Sequence, residues 1–363
     1  MDEALKQQLN SFDPAVREAA LKKVRETYSS FNMHCHSFYS YNGYGYSPSM
    51  LAALAKENNW RSAMLVDFDV LDGVDEFLFA CKSLGVKAAA GMETRVFIPE
   101  LADVEINSPG EPGIAYHLGC GFTASAVPAS EKAFADNLRA KANSRTRTLV
   151  EKVNEYLPEI ALDFAAVAKE FTPNGNVTER HVCTAYRMQA EKLWQGDDLA
   201  GYWSAKLGKF ESNPVKLEAL IRSKTMKKGG VGYVAPTPDS FPTLDEMNKF
   251  IIKCGAVPTL AWLNGLSAGE NDVDRLFELH LKYGAKAATL IPDRNWRADT
   301  PEKQAVLTAE LDRFVAAAQR YNVPLLAGTE MNAPGQLIAD DFTVPALLKH
   351  LDVFIAGADE FAK

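Results

Sequence analysis

The chain is poor in cysteine, and its cysteines do not pair into any motif. Five cysteines stand singly at positions 35, 81, 120, 183 and 254, and no two of them form a CxxC pair. An odd, scattered set of this kind argues against a disulfide framework and against a thiolate zinc site. It is typical of a protein that works in a reducing compartment.

The sequence also lacks long apolar runs. No segment is apolar over the length that a membrane-spanning helix requires. Residues 1–24 alternate charged and apolar side chains, without the basic start and apolar middle of a signal peptide. We therefore expect a soluble, cytoplasmic protein with no membrane partner.

Basic residues are not in excess. The chain has 39 lysines and arginines against 47 aspartates and glutamates, which gives a formal net charge of −8. A surface of this sign repels phosphate backbones, so a polymeric nucleic acid is disfavoured as a partner unless a local basic groove exists. We expect a small-molecule substrate, and the sequence gives no indication of the oligomeric state.

Over most of the 363 residues, short β-rich segments alternate with helical segments. The predicted strands are Phe31–His36, Ala63–Phe68, Ala88–Phe97, Ile114–Phe122, Val257–Leu263, Ala287–Ile291, Val323–Thr329 and, with a weaker pattern, Val353–Ala356. The predicted helices include Pro48–Asn58, Asp75–Leu84, Val273–Tyr283 and Pro301–Tyr321. Strands separated by helices predict parallel βα units, in either a barrel or a doubly wound sheet.

Two segments depart from this alternation. Residues 1–30 have the apolar spacing of one amphipathic helix. Residues 123–245 are long, polar and mainly helical, with predicted helices over Glu131–Tyr156, Ile160–Lys169, Glu179–Gly196 and Pro214–Ser223. We interpret residues 123–245 as a helical insertion between two strands of a barrel that is formed by residues 31–122 and 246–363.

A pair of histidines is the first candidate for chemistry. His34 and His36 are separated by one residue at the end of the first predicted strand, before a loop rich in Ser, Tyr and Gly. Residues i and i+2 of a strand point to the same face, so both imidazoles are expected at the mouth of a barrel. Active sites of βα barrels lie at this end of the strands, and imidazole is a common metal ligand.

Carboxylates occur on two other predicted strands. Glu93 interrupts an apolar strand, where a cation must compensate its charge, and Glu330 follows the last confident strand. For Glu93 the cation is either a metal or Arg95, two residues further on the same face. Two histidines and two carboxylates suit Mn, Zn or Fe, whereas imidazole ligands count against Mg and Ca.

The order and spacing of these motifs resemble those of the PHP (polymerase and histidinol phosphatase) superfamily. The resemblance rests on His34-Cys35-His36-Ser37, Gly45-Tyr46-Ser47-Pro48, the segment 66–73, Gly91-Met92-Glu93 and the later Gly328-Thr329-Glu330-Met331-Asn332. It implies an α/β fold, a distorted (βα)7 TIM-like barrel with a helical insertion. It also implies phosphoester hydrolysis with up to three divalent metals.

The ligands that the resemblance implies are only partly retained. His34 and His36 match the histidine pair of the superfamily, Glu93 matches its bridging glutamate, and His117 matches a later histidine ligand. Glu330 takes the place of an aspartate and is expected to complete one site with His34, His36 and Glu93.

Other ligand positions of the superfamily are substituted. Phe68 and Trp262 stand where histidines are usual, Asn332 replaces another histidine, and Tyr41 and Asn42 occupy the position of a further ligand. Because aromatic rings such as Phe68 and Trp262 do not bind such metals, we expect one divalent transition metal rather than three, with a second, weaker site at Glu93 and His117 as the alternative. The two rings are expected either to line the mouth and bind a ring-shaped substrate or to fill vacated ligand space.

Further side chains are candidates for proton transfer and substrate binding. Asp67 and Asp69 are either general acid–base groups, partners of the histidines, or helix caps. The other candidates for contacts with an anionic substrate, besides Phe68 and Trp262, are Arg95, Lys228, Arg294 and Asn332. Lys228 belongs to a cluster with Arg222, Lys224 and Lys227 that forms either an anion cradle or a solvated face.

Three functions are consistent with these residues. The first is a metal-dependent hydrolase of PHP type that acts on a small anionic, phosphoester-like substrate with one metal. The second is a metal-dependent lyase or isomerase that acts on a sugar or sugar acid, which the aromatic substitutions favour. The third is a non-catalytic relative whose barrel binds a ligand, which the missing metal ligands favour.

Overall fold

Seven strands form the centre of the fold. The computed structural model describes residues 3–27 and 30–363. In this part of the chain one sheet contains the strands in chain order: Asn32–Cys35 (β1), Ser62–Phe68 (β2), Lys87–Phe97 (β3), Ile114–Cys120 (β4), Val257–Trp262 (β5), Ala287–Leu290 (β6) and Leu325–Ala327 (β7). The seven confident strand predictions are confirmed, with bounds that differ by up to two residues at each end.

The sheet is a distorted, nearly closed α/β barrel. Most neighbouring strands are parallel, but β4 is antiparallel to both β3 and β5. The connection from β3 to β4 explains this reversal, because residues 98–113 contain only a short 3-10 turn at Pro99–Leu101. A parallel pair needs a crossover, usually a helix, and this connection has none.

Strands β7 and β1 meet where the barrel closes. The Asn32 side chain donates a hydrogen bond to the carbonyl of Thr329, 3.0 Å away, and the amide of His36 donates to the carbonyl of Glu330, 3.1 Å away. Gly328 lies so close to β1 that a Cβ atom there would clash with the backbone nitrogen of His34. A glycine is therefore required beside the strand that carries the histidine pair.

Helices surround the barrel and form the insertion. They are Glu3–Leu9 (α1), Pro14–Thr27 (α2), Pro48–Glu57 (α3), Val74–Leu84 (α4), Lys132–Tyr156 (α5), Phe164–Phe171 (α6), Glu179–Leu193 (α7), Gly196–Leu207 (α8), Pro214–Ile221 (α9), Leu244–Lys253 (α10), Ala268–Asn271 (α11), Val273–Lys282 (α12), Pro301–Arg320 (α13), Pro345–Leu348 (α14) and Leu351–Phe361 (α15). Among the described helices, none has the length and apolar character to cross a membrane.

Two predictions about helices and strands were wrong, and one helix was missed. The weak strand at Val353–Ala356 is part of α15, whose buried Leu351, Phe354 and Ala358 have helical spacing. The N-terminal segment contains two helices rather than one, because Pro14 begins α2 after a turn. Residues 1, 2, 28 and 29 of that prediction lie outside the described residues. Helix α8 was not predicted at all.

The insertion has an apolar core of its own. Its buried residues between 149 and 226 form a hydrophobic cluster that is separate from the barrel cluster. Helix α5 joins the two parts: its 25 residues span about 37 Å at 1.5 Å per residue. Phe134 near its start stacks on Phe250 of α10, whereas Arg145 and Leu149 further along reach the cavity described below.

A buried carboxyl group links the segments that follow β6 and β7. Asp340 accepts a hydrogen bond from the backbone nitrogen of Asp293, 3.1 Å away, and is 5% exposed. Burial, together with the charge of Asp293, raises the pKa of Asp340 to about 7. The folded protein therefore holds this proton more tightly than the unfolded chain does.

This carboxyl predicts a specific dependence of stability on pH. Below about pH 4, Asp340 is protonated in both the folded and the unfolded state. Its stabilising contribution to the free energy of unfolding is lost as the pH rises toward 7. Asp340→Asn should therefore raise the free energy of unfolding by about 3 kcal/mol at pH 7.5 and by little at pH 4. Urea unfolding across this range checks it, with the exposed Asp299→Asn as the control. Parallel pH profiles for wild type and Asp340→Asn would contradict it.

Candidate metal centre

Two strands of the barrel, separated in the sheet by β2, bring three potential ligand atoms together. His34 lies on β1, His36 follows one residue after its end, and Glu93 lies on β3. The Nε2 atoms of His34 and His36 are each 3.2 Å from the same carboxylate oxygen of Glu93, Oε2. All three side chains are buried. Among the described residues, they form the one group of three or more His, Cys, Asp or Glu side chains whose potential ligand atoms lie within 4.8 Å of one another.

The spacing of these atoms fits a bound transition metal. Ligands at about 2.1 Å from one ion, with angles between 90 and 110°, lie about 3.0–3.4 Å apart. His34 Nδ1 and both ring nitrogens of His36 are buried and have no hydrogen-bond partner among the residues that the structure describes. The contact between His36 and Glu93 has the distance of an ion pair but not the direction of a hydrogen bond. Buried polar atoms normally have partners, so this arrangement is better explained by a shared cation.

Within the cluster, the ionised form of Glu93 and the protonated form of His36 stabilise each other. Burial by itself would raise the pKa of Glu93, but His34 and His36 lower it to about 2. Burial by itself would lower the pKa of His36, but Glu93 raises it. Glu93 is therefore ionised at neutral pH, as a metal ligand must be.

A cavity of about 610 Å³ opens from His34 and Glu93. Its walls come from the barrel and from the insertion. Seven basic side chains line it: Arg95, Arg145, Arg180, Arg222, Lys227, Lys228 and Arg294. The acidic residues of the lining are Asp69, Glu93, Glu111, Glu179 and Glu330. The cavity is therefore basic although the whole chain carries a net charge of −8.

Most of the acidic lining residues are paired with these cations. Arg222 and Lys227 each approach Glu179 at 2.8 Å. Arg95 approaches Glu111 at 2.8 Å. The alternative that Arg95 compensates the charge of Glu93 is therefore not supported. Arg180, at the start of α7, has no hydrogen bond or ion pair from its guanidinium to any described residue. Its charge is available to a ligand.

Glu330 lines the cavity but does not join the three ligands. Its Oε2 atom is 2.8 Å from Arg294, and Gln336 lies 3.4 Å from the same oxygen. Burial would raise the pKa of Glu330, but Arg294 lowers it. Arg294 therefore already compensates the charge that was expected to complete the metal site. Arg294 belongs to the 3-10 turn Pro292–Asn295, which follows β6, and Glu330 belongs to the loop after β7.

The structure does not bring His117 to the metal centre, which corrects the expectation for this residue. His117 pairs in register with Thr94, whereas Glu93 pairs with Leu118, so His117 faces away from the cluster. Its ring lies 5.9 Å from that of His280 on α12. Burial and the neighbouring His280 lower its pKa to about 3. The one-residue alternation of a strand accounts for the error.

The two aromatic substitutions have different environments. Phe68 stacks on His36 with 4.3 Å between ring centroids, and it lines the cavity. Trp262 borders the cavity but is 2% exposed, and its ring stacks on Phe314 of α13 at 4.3 Å. The expectation that both rings present faces to a substrate therefore fits Phe68, whereas most of Trp262 is part of the core.

Only one of the two candidate acid–base groups, Asp69, lines the cavity. Asp67 is buried outside the cavity lining, and its oxygens accept hydrogen bonds from the Ser37 amide and from the hydroxyls of Ser37 and Ser40, at 2.6–2.7 Å. Asp67 therefore fixes the loop after β1 and does not face a substrate, which corrects its catalytic assignment. Asp69 lines the cavity, where it accepts a 2.5 Å hydrogen bond from Thr94.

The remaining candidates for substrate binding, Arg95, Lys228, Arg294 and Asn332, all line the cavity. The lining residues that were not named as site candidates include Tyr116, Arg145 and Arg180. Tyr116 directly precedes His117 on β4. Because consecutive strand residues point to opposite faces, the sequence indicates that one of the two faces the inside of the barrel, but not which one. Arg145 and Arg180 carried no signal, because nothing in the sequence shows where the insertion folds over the barrel.

Comparison with known proteins supports the fold. No protein-family model matches the chain, and no curated protein matches it in sequence. A solved amidohydrolase from Chromobacterium violaceum, with bound sulfate and no metal, is similar with a TM-score of 0.60 and 16% identity over 90% of this chain and 96% of that chain. A Bifidobacterium adolescentis protein assigned as a metal-dependent phosphoesterase is similar with a TM-score of 0.57 and 17% identity over 88% and 95%. At these identities the likeness concerns the fold.

Proposed function

We propose that the protein is a metal-dependent hydrolase of PHP type that acts on a small, anionic, phosphoester-like substrate. One divalent transition metal, Mn, Zn or Fe, is held by His34, His36 and Glu93. The observation that carries this proposal is the convergence of these three ligands beside a basic cavity. A volume of about 610 Å³ suits a small molecule rather than a polymer.

A metal held by these residues would supply Lewis acidity and would lower the pKa of a water molecule bound to it. The protein supplies the rest. Arg180 and the partly paired Arg294 and Arg222 hold the anionic group, because charge-assisted hydrogen bonds to guanidinium groups are strong. Asp69 faces the cavity, so it is the carboxylate that accepts a proton, whereas Asp67 keeps the loop in place. The insertion contributes part of the cavity wall, including Arg180 and Arg222.

The similar structures are consistent with this proposal. One of them has bound sulfate, which is a tetrahedral anion like phosphate, and the other is assigned as a metal-dependent phosphoesterase. We also infer that residues 123–245 act as a unit with its own core, which adds basic residues to a barrel formed by 31–122 and 246–363.

The alternative of a sugar-directed lyase or isomerase rested on two aromatic faces at the mouth and on a single metal. Because Trp262 stacks on Phe314 within the core, Phe68 is the substituted ring that remains for such a substrate. The hydrolase is therefore the better-supported function.

A phosphoester panel tests the proposal. Purified protein loaded with Mn, Zn or Fe should hydrolyse at least one small phosphomonoester or phosphodiester, and phosphate release should fall to background for His34→Ala. Turnover that does not exceed that of the His34→Ala variant on any substrate would reject hydrolysis. A screen with sugar acids under the same conditions would then test the alternative.

A further inference from the structure

Tyr116 occupies the inward position of β4 that His117 was expected to fill. Tyr116 lies directly opposite Arg95 in the antiparallel pair of β3 and β4. Residues that face each other in such a pair point to the same side of the sheet. Tyr116 and Arg95 accordingly both line the cavity, on the strand pair that carries Glu93.

The hydroxyl group of Tyr116 has no partner within the described protein. Most of the other described hydroxyls of the lining have one, namely those of Thr94, Ser108, Thr146, Thr178 and Tyr233. The hydroxyl of Thr289 is buried and unpaired. Tyr116 is partly exposed, so its hydroxyl is open to the cavity.

The charges around Tyr116 come from both halves of the site. Glu93 of the metal centre, Arg95 of the same sheet and Arg222 of the insertion all act on its phenol electrostatically. Arg294 is also within electrostatic range of it. The phenol therefore lies in the same cavity as Glu93 and the basic residues, within electrostatic range of both.

The backbone holds Tyr116 in this position. Its amide donates a 2.8 Å hydrogen bond to the Asn107 side chain, which in turn donates a 2.9 Å bond to the carbonyl of Ala261 on β5. This link ties β4 to β5 at the edge of the cavity. A donor on a fixed strand needs little reorganisation when a ligand binds.

We propose that the Tyr116 hydroxyl donates a hydrogen bond to an oxygen of the tetrahedral anionic group of the ligand, between the metal centre and the basic residues. The inference rests on the proposed function for the identity of this group, a phosphate. It adds a neutral, oriented donor to a site in which most of the candidate donors are cations. Such a donor favours an oxyanion with several oxygens, each able to accept a different hydrogen bond.

Calorimetric titration with inorganic phosphate tests this role directly. Wild type, Tyr116→Phe and Tyr233→Phe are compared, each loaded with Mn and each free of metal. Tyr116→Phe should weaken phosphate binding about tenfold in the metal-loaded protein, because it removes one hydrogen bond to a charged acceptor. Tyr233→Phe is the matched control, because its hydroxyl already donates to Glu111. It should bind phosphate like the wild type.

Several outcomes would overturn the inference. One is equal phosphate affinity for wild type and Tyr116→Phe. Another is a loss of bound metal from Tyr116→Phe, measured by elemental analysis of the same samples, since the hydroxyl would then serve the metal centre and not the ligand. The readout is independent of turnover. If wild type hydrolyses no phosphoester but Tyr116→Phe still weakens phosphate binding, the proposed function fails and the binding role of Tyr116 stands.

Discussion

Replacing Glu93 with Gln is expected to lower the metal content from about one ion per chain to near zero and to reduce hydrolysis by about 1000-fold or more. Glu93 is the one carboxylate among the three converging ligands, and its Oε2 lies 3.2 Å from both histidines. Gln keeps the shape of the side chain but removes the negative charge that a divalent cation requires.

The matched control is Glu131→Gln. Glu131 is also a buried glutamate, 4% exposed, but it pairs with Lys253 away from the cavity. Its replacement should leave metal content and turnover at wild-type values. Elemental analysis and initial rates are measured on the same preparations, with circular dichroism to verify folding. A folded Glu93→Gln variant that retains a full equivalent of metal would show that Glu93 is not a ligand.

Replacing Arg180 with Ala is expected to raise the KM for the anionic substrate roughly 30- to 100-fold and to change kcat much less. The reason is that this guanidinium lines the cavity without an acidic partner, so no protein carboxylate competes with a bound anion for its charge. The other insertion cations that pair with Glu179 should have smaller effects when replaced singly. Metal content should not change, because Arg180 is not among the ligands.

Arg187→Ala is the control for this second prediction. Arg187 lies on the same helix, α7, but pairs with Glu218 and Glu191 outside the cavity lining. Its loss should leave the KM as in wild type. The Arg180 effect should also shrink at high ionic strength, because salt screens the attraction between the cavity and an anion. An unchanged KM for Arg180→Ala would mean that the substrate does not reach this wall.

The strands could be predicted because their residue types are local signals. Short β-rich runs that alternate with helical segments located all seven strands, and the two histidines at the end of β1 were placed correctly beside each other. The run Val353–Ala356 misled because four apolar residues are too short to separate a strand from a buried helix. The burial of Leu351, Phe354 and Ala358 along one face shows that the segment is a helix, and this pattern extends beyond the four-residue run.

The site was less predictable because much of it depends on contacts that are distant in sequence. Glu330 had the residue type of a ligand, but its neighbour Arg294 comes from a different βα unit, 36 residues away in sequence. Tyr116 and His117 are adjacent, so only the register between β3 and β4 shows which side chain faces Glu93. The basic wall depends on how the insertion packs, and the overall charge of −8 gives no indication of it.

The most direct test of the central claim is the metal stoichiometry of the wild-type protein beside a His34→Ala/His36→Ala double variant. After loading with Mn, Zn or Fe and dialysis, elemental analysis should give about one ion per wild-type chain and almost none in the double variant. Wild type alone should gain thermal stability, by about 2.7 kcal/mol when the free metal is 100 times its Kd. A wild-type protein that retains no metal and gains no stability, or a double variant that retains as much metal as wild type, would contradict the claim.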